Sequence, residues 1–530
     1  MTATMSSSTE SKVDVVVIGA GISGLVTAKC LLDDGFQVTV IEGTGDIGGL
    51  WTFRENNYGV MRFTHINVSK YNYCFSDFPF PDDVPDYPHN KDMAQYIKDY
   101  ATNFGLEKYI KFFTKVTKLE RTDNGKWTVV CRRVEEGEQG EVKSLDSSEE
   151  IISARYVAIA SGHHATPVMP TFRGQETFTG DILHSVKFKD ALTNGLVGKR
   201  VLIVGIGNSA VDAAVNCASV GRCKSVHVST RSGAWIVPNY VFGHPTDLYA
   251  CRAFFKIPWQ MASALFENII TLISGNPRRW NLNPKMKLLQ TQLTVSPCLI
   301  HHIQRHDIKI VPNVLNIEGS KVTFVNGESA EFDAIVMCTG YKIDLPFLSE
   351  ELKKTILNEE TNSINLYKNV FNPDIGHTLA FIGFVQPASG GLLPMSEIQG
   401  RWFTETCRGR CSLPTKSAMK DNIQEEKEEM KSRYYHSNRH TIQRDPILYN
   451  DEISAMFGAK PELLKNPSIA WRLLLGSCGT YQYRLQGPNA WSGAKTAVMK
   501  VPVPEMYQYT GIAVVVFLAI WLLYIFSFVF

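Results

Sequence analysis

Two stretches of this chain share one pattern: a short apolar run, a cluster of glycines, then apolar residues at helical spacing. Residues 13–18 (VDVVVI) make a run of strand length that enters Gly19-Ala20-Gly21-Ile22-Ser23-Gly24. Helical spacing follows over 25–32, and a second strand-like run, 37–41, ends on Glu42. Each part of this pattern has a physical use. Gly19 permits a tight turn, Gly21 lets backbone approach a pyrophosphate, and Gly24 lets the helix pack closely on the strand. The anion sits where the unpaired N–H groups and dipole of the helix N-terminus favour it, with Ala20, Ile22 and Ser23 completing the turn. Glu42 falls about 20 residues further on, where a carboxylate accepts bonds from a ribose diol.

The second stretch runs from an apolar strand, 199–204, into Gly205-Ile206-Gly207-Asn208-Ser209-Ala210 and a helix over 211–218 that carries Asp212. Its next strand, 225–229, ends on no acid and runs into Thr230-Arg231-Ser232. A cation there suits the 2′-phosphate that distinguishes NADP from NAD. Arg231 is the candidate, with the hydroxyls of Ser229 and Thr230 as donors.

Between and beyond these loops the pattern predicts a helix over 91–106 and strands over 110–116, 127–133 and 156–161. The charged stretch 135–150 reads as a solvated hairpin or loop, and 71–88 as a fixed loop too rich in proline for regular structure. A strand from 334 closes on Cys338-Thr339-Gly340-Tyr341, where the chain would cross back between domains. The charged helix around 424–432 reads as a solvated face. The fold class predicted is α/β, with two Rossmann-like dinucleotide-binding domains, the smaller inserted in the larger. Residues 1–190 and 335–450 form the flavin domain. Residues 191–334 form the nicotinamide domain, with a substrate-access insertion over about 239–306. Residues 451–509 cover the assembly, and 510–530 form a tail anchor.

Composition narrows this picture. The chain has 530 residues, and its 54 basic and 52 acidic side chains leave a net charge of +2, which gives no basis for nucleic-acid binding. Eleven cysteines include no C-x-x-C pair, so neither a disulfide framework nor a zinc cluster is expected, and no metal site is assigned. Cys407 and Cys411, the closest pair, read as two small side chains. The first twelve residues lack the apolar core of a secretory signal. Residues 510–530 (TGIAVVVFLAIWLLYIFSFVF) carry no charge and match the ~20 residues that span a bilayer as a helix. Tyr507, Tyr509, Trp521 and Tyr524 supply interfacial aromatics, and Lys495 and Lys500 lie upstream. The expected state is a membrane-anchored body facing the cytosol. Self-association into a homo-oligomer is compatible with the sequence and not required by it.

Two dinucleotide loops in one chain point to one bound flavin and one exchangeable nicotinamide nucleotide, with hydride passing between them. Disulfide reductases of this architecture need a cysteine pair beside the flavin. Its absence favours oxygen or a small molecule as the electron acceptor.

Further motifs carry a resemblance. The stretch Phe178-x-Gly180-x-x-x-His184-x-x-x-Phe188, placed before GxGNSAxD, resembles the identifying motif of the flavin-containing monooxygenases. So do Asp46-Ile47-Gly48-Gly49-Leu50-Trp51, Asn67-Val68-Ser69-Lys70, Cys338-Thr339-Gly340-Tyr341, residues 383–387 (GFVQP), 481–485 (YQYRL), and Gly487-Pro488 with Trp491. The chain departs from the family pattern in Ala210, which replaces a glycine, and over 239–306, where the match is loose. Phe188 stands where the related Baeyer–Villiger group has Trp.

The resemblance implies FAD and NADPH as cofactors, O₂ as co-substrate, and a C4a-hydroperoxyflavin that oxygenates a soft nucleophile, an amine nitrogen or a thioether sulfur. It also implies an endoplasmic reticulum membrane anchor. Asn67 is the side chain expected to hold the oxygenating cofactor or the nicotinamide, because a neutral amide donates without acidifying the site. Gly49, Leu50, Trp51 and Val68 are expected near the flavin, with Thr339, Gly340 and Gln386. His184 either positions a cofactor or bonds backbone at the domain joint, the second being favoured. Baeyer–Villiger oxidation of ketones, or an uncoupled NADPH oxidase releasing H₂O₂, are the alternative readings.

Overall fold

The structure is a computed structural model that describes residues 10–55, 58–136, 142–144, 149–437, 441–477 and 479–507. Its first layer is built from β1 (Glu10–Ile18), α1 (Ile22–Asp33), β2 (Val38–Ile41), α2 (Asn90–Asn103), β3 (Ile110–Lys111), β4 (Thr114–Arg121), β5 (Trp127–Glu136), β6 (Val142–Ser144) and β7 (Glu150–Ile159). The sheet order is β3-β2-β1-β7-β5-β4, with β6 paired to β5 and Leu379–Phe381 paired to β7. β1 lies at the centre, parallel to both neighbours. Its unbroken apolar run follows from this, since a central parallel strand is covered on both faces. Val15 and Val17 join the core beneath α1, while Val16 and Ile18 join the opposite core with Val157 and Ile159.

The strand expected over 110–116 is two strands. Phe113 sits at φ 50°, a left-handed conformation that breaks the run, so that β3 continues parallel beside β2 while β4 turns to pair antiparallel with β5.

The second layer holds β8 (Asp181–His184), β9 (Arg200–Val204), α3 (Asn208–Ala218), β10 (Ser225–Ser229), α4 (Trp259–Ser274), β11 (Ile308–Val311) and β12 (Ala334–Met337). All five strands are parallel, in the order β11-β10-β9-β12-β8. Residues 230–307, including α4, intervene between β10 and β11. The two passages of chain between layers run side by side, with Thr166–Pro167 paired antiparallel to Tyr341–Lys342.

After β12 the chain returns to the first layer and forms α5 (Leu392–Cys407), α6 (Lys416–Arg433) and α7 (Pro446–Met456). α5 is buried along almost its whole length and lies against α1. At Gly400 a side chain would meet Thr27 Oγ1 at 2.8 Å. α6 departs from the solvated face expected of it, because Glu426 turns inward to pair with Lys368 and Arg444. The thiols of Cys407 and Cys411 are free. Cys411 lies past the end of α5 and its thiol donates to Met456 O at 3.4 Å. The expected tail anchor, 510–530, lies outside the described residues, among which no helix is long and apolar enough to cross a membrane.

A buried charge network ties the end of the chain to this layer. Glu397 on α5 accepts from Ser76 N at 2.8 Å and from Arg484 Nη2 at 2.9 Å. Arg484 also donates to Ser76 Oγ at 2.6 Å and to Asn489 O at 2.9 Å, and pairs with Asp77 at 3.0 Å. Its side chain is 1% exposed, so removing it strands Glu397 in the interior and leaves Asp77 to Lys29 alone. Arg484→Met is therefore expected to cost about 3–5 kcal/mol, read as a lower midpoint in denaturant unfolding of the FAD-loaded protein.

Candidate functional site

The first glycine turn is shaped by contacts that admit no side chain. Gly19 adopts φ +107°, and a Cβ there would lie 2.6 Å from Ala160 O; at Gly24 it would lie 1.8 Å from Gly19 O. At Gly21 the nearest atom would be Gly49 Cα at 3.7 Å. Gly19 and Gly24 are thus fixed by packing, and Gly21 leaves an open face at the N-cap of α1. No side chain caps that helix, so its first N–H groups remain available to an anion. Ile22 and Ser23 are buried, and the Ser23 hydroxyl donates to Ser396 on α5 at 2.9 Å.

Glu42 holds this turn while facing it. One carboxylate oxygen accepts from Ala20 N at 2.8 Å, and the other from the amide and hydroxyl of Thr44 at 2.9 and 2.8 Å. The turn at 46–51 closes over the glycines, with Gly48 N donating to Ala20 O at 3.1 Å. Gly49 starts a short helical turn (Gly49–Trp51) in which Leu50 O accepts from Val60 N and Trp51 Nε1 donates to Tyr73 at 3.1 Å. Beside Gly19, the Ser161 hydroxyl is buried without a partner among the described residues. Open glycine backbone, an uncapped helix start, a carboxylate at the end of β2 and an orphan hydroxyl fit FAD.

The second turn repeats this geometry with differences. Gly205 adopts φ +124°, and a Cβ would meet Cys338 O at 2.4 Å. Gly207 is the N-cap of α3, Ser209 is exposed in its first turn, and the methyl of Ala210 is buried where the pattern has a third glycine. Asn208 is occupied by its own chain, donating to Leu293 O at 3.3 Å and accepting from Val295 N at 2.8 Å. It braces the inserted segment against the turn. Asp212 is half-buried one turn further along α3.

Arg231 lies exposed just past β10. The hydroxyls beside it do other work than expected. Ser229 is buried and spends its proton on Pro312 O at 2.9 Å, so it is no donor to a cofactor. Thr230 Oγ1 accepts from Gly233 N at 3.0 Å and shapes the turn that presents Arg231.

The joint between layers gathers three expected residues. Thr339 donates to Val168 O, and Gly340, at φ +86°, accepts from Val168 N at 2.9 Å and from His184 Nε2 at 3.2 Å. His184 Nδ1 accepts from Val186 N at 3.2 Å, so this neutral ring locks backbone at the crossing. Gln386 contacts His163, a residue whose importance the sequence did not signal beyond its place at a strand end. Burial holds the His163 imidazole below its ordinary pKa, hence neutral. Nδ1 donates to Gly383 O at 2.9 Å, so Nε2 must accept, and the amide atom of Gln386 at 3.0 Å from it is the NH₂ group. The Gln386 carbonyl is left free to accept from another donor.

Asn67 is exposed into a cleft of about 350 Å³, with Val68 buried in the wall beside it. The far wall is apolar and comes from the inserted segment, with Val237, Val241, Phe254, Phe266 and Ile269 prominent. Asp247 of that segment also reaches the cleft, and nothing in its sequence surroundings marked it. Among the described residues no group of His, Cys, Asp or Glu is arranged to hold a metal.

Comparison with known proteins agrees with this geometry. The family described as flavin-binding monooxygenase-like matches residues 12–503. The human protein named flavin-containing monooxygenase 5 is 36% identical over 507 residues, covering 92% of this chain and 91% of that protein. The rabbit dimethylaniline monooxygenase [N-oxide-forming] 2 is 35% identical, with 91% and 90% covered. Among solved structures, S-allyl-L-cysteine S-oxygenase from Allium sativum superposes with a TM-score of 0.61 at 21% identity, covering 84% of this chain and 88% of that one. Steroid monooxygenase bound to NADP superposes with a TM-score of 0.60 at 19% identity, covering 84% and 97%. With two nucleotide turns in place and both levels of likeness in agreement, the chain belongs to the flavin-binding monooxygenase-like family and is an FAD-dependent NADPH monooxygenase.

Proposed function

We propose that this enzyme oxygenates small lipophilic amines and thioethers at a membrane surface. The observation that carries the proposal is the cleft itself: apolar over most of its wall, with a neutral amide, Asn67, exposed into it, while its charged lining residues are engaged elsewhere, Arg433 with Asp445 and Asp247 with Ser69 and Asn72. Bound FAD would use electrons from NADPH to activate O₂. The chain then needs to bind, to orient and to keep water out, and little proton chemistry is asked of it. Asn67 donates hydrogen bonds without acidifying the site. Asp247, the carboxylate nearest in the structure to that loop, is already turned to Ser69 and Asn72. A soft nucleophile entering along the Phe254 and Phe266 wall meets a largely apolar surface.

Membrane placement rests on the uncharged, apolar composition of residues 510–530. Met506 and Tyr507, the last two described residues, line the cleft, and Tyr507 donates to Tyr249 O at 2.8 Å. The outer face of α4 carries Met261, Leu265 and Leu272 at 64, 53 and 86% exposure, a stripe suited to a lipid surface. The reading is a C-terminal anchor in the endoplasmic reticulum membrane, with the catalytic body facing the cytosol.

Supplied with NADPH and a dialkyl thioether, the purified protein should form sulfoxide while H₂O₂ per NADPH falls; with a cyclic ketone it should form little ester. Ester as the main product, or undiminished peroxide with no oxygenated product, overturns the proposal. Asn67→Ala should lower sulfoxide yield about tenfold or more and raise peroxide correspondingly, as measured by product and peroxide per NADPH consumed.

Asp212 gives a pH-dependent expectation. Burial without an opposing charge raises its carboxyl from 3.8 to about 7. Between those values the folded chain keeps a proton that the unfolded chain has released, so stability falls as pH rises and the penalty is complete above about 7. Asp212→Asn should therefore raise the melting temperature more at about pH 8 than at about pH 5.

A further inference from the structure

Asn67 faces the cleft, yet among the described residues its side chain has no hydrogen-bond partner. A side chain with no bond of its own is aimed only as well as its backbone is held. Two residues along, Ser69 is fully buried, and both of its donors go to one carboxylate. Ser69 N donates to Asp247 Oδ1 at 3.0 Å and Ser69 Oγ donates to Oδ2 at 2.6 Å. Asn72 Nδ2 donates to the same Oδ2 at 2.7 Å and to Asp247 O at 3.3 Å.

Asp247 belongs to the inserted segment, in the short turn Thr246–Tyr249 that also lines the cleft. Behind it, Tyr87 approaches Oδ1 at 3.5 Å while donating to Asn239 O. In front, Asn72 Oδ1 accepts from Ser477 Oγ at 2.7 Å. The carboxylate thus joins the Asn67 loop to the substrate wall, and Asn72 carries the link on to the C-terminal segment. Hydrogen bonds to an ionised acceptor are shorter and stronger than neutral ones, and three donors on one half-buried carboxylate leave the loop little freedom.

We propose that Asp247 is a positioning residue for oxygen transfer, fixing the aim of Asn67 through Ser69. The proposal rests on the role given to Asn67 above and adds what sets that residue's geometry. It also divides the Asn-Val-Ser-Lys stretch by task. Asn67 faces the cleft, Ser69 reports to Asp247, and Lys70 secures the neighbouring loop through the carbonyls of Asp82 and Val84.

The test uses the full chain loaded with FAD and compares Asn67→Ala, Ser69→Ala, Ser69→Thr, Asp247→Asn and the Ser69→Ala/Asp247→Asn double variant. Peroxide per NADPH is measured with a thioether present, together with the melting temperature and the visible circular dichroism of the flavin with NADP⁺ bound. Ser69→Ala and Asp247→Asn should each raise peroxide per NADPH, approaching the about tenfold expected when a reacting group is misplaced. Each should change the dichroism, and the double variant should be no worse than either single one. Ser69→Thr, which keeps the hydroxyl, should restore coupling.

Additive effects overturn the proposal, as does a lower melting temperature with coupling and dichroism unchanged. Should Asp247→Asn fail to fold, the two Ser69 variants decide alone: Ser69→Ala without loss of coupling refutes the clamp. If Asn67→Ala itself leaves coupling intact, it is the reading of Asn67 that falls. If Asn67→Ala uncouples and the Ser69 variants do not, only the clamp falls.

Discussion

The architecture depends on two places where a glycine presses against a carbonyl oxygen. Gly19 lies against Ala160 O and Gly205 against Cys338 O, each too close for any side chain. Those carbonyls stand at the ends of β7 and β12, where the chain leaves one layer for the other. Each nucleotide turn is therefore seated on a crossing. Because the crossings pair with each other through Thr166–Pro167 and Tyr341–Lys342, the two turns share one support. His184, bonded to Gly340 O, braces that support from the second layer.

Charge is handled in a consistent way around this frame. One group of buried ions, Lys29, Asp77, Glu397 and Arg484, is gathered into a network outside the cleft lining, while Arg433 in the cleft wall is paired with Asp445. Where groups face the reaction space they are neutral or already engaged: Asn67 is an amide, His163 is held uncharged by burial, and Asp247 is surrounded by donors. An oxidant carried by a cofactor is lost to stray protons, so a site with few of them conserves it.

The parts of this structure governed by local rules were legible in the chain. The turns at Gly19 and Gly205 could be read because a tight turn, a close approach and a helix start each demand a residue type at a fixed spacing. The strand closing on Thr339-Gly340 does lead back to the first layer, but Asp181–His184, read with residues 1–190, pairs in the second. What depended on distant pairing was not legible. Ser229 reads as a donor at a strand end until Pro312 is folded beside it. Glu426 reads as one more charge on a polar helix until Lys368 and Arg444 arrive. Asp247 sits in a segment without periodicity, and its partners are nearly 180 residues away in sequence. Phe113 broke a strand through a backbone conformation that its side chain does not advertise.

The order in which the layers can be finished follows from their connectivity. β1 and α1 emerge first in synthesis, yet the sheet around β1 waits for Leu379–Phe381, and α1 waits for α5. The second layer's strands, Asp181–His184 through Ala334–Met337, form one uninterrupted span and need nothing that follows them. Domains tend to fold as units while the ribosome is still working. The five-stranded sheet of the nicotinamide half can thus form on the nascent chain, its inserted segment waiting for Arg433 and Tyr507, while the flavin half, though begun earlier, stays open until residue 407 has been delivered.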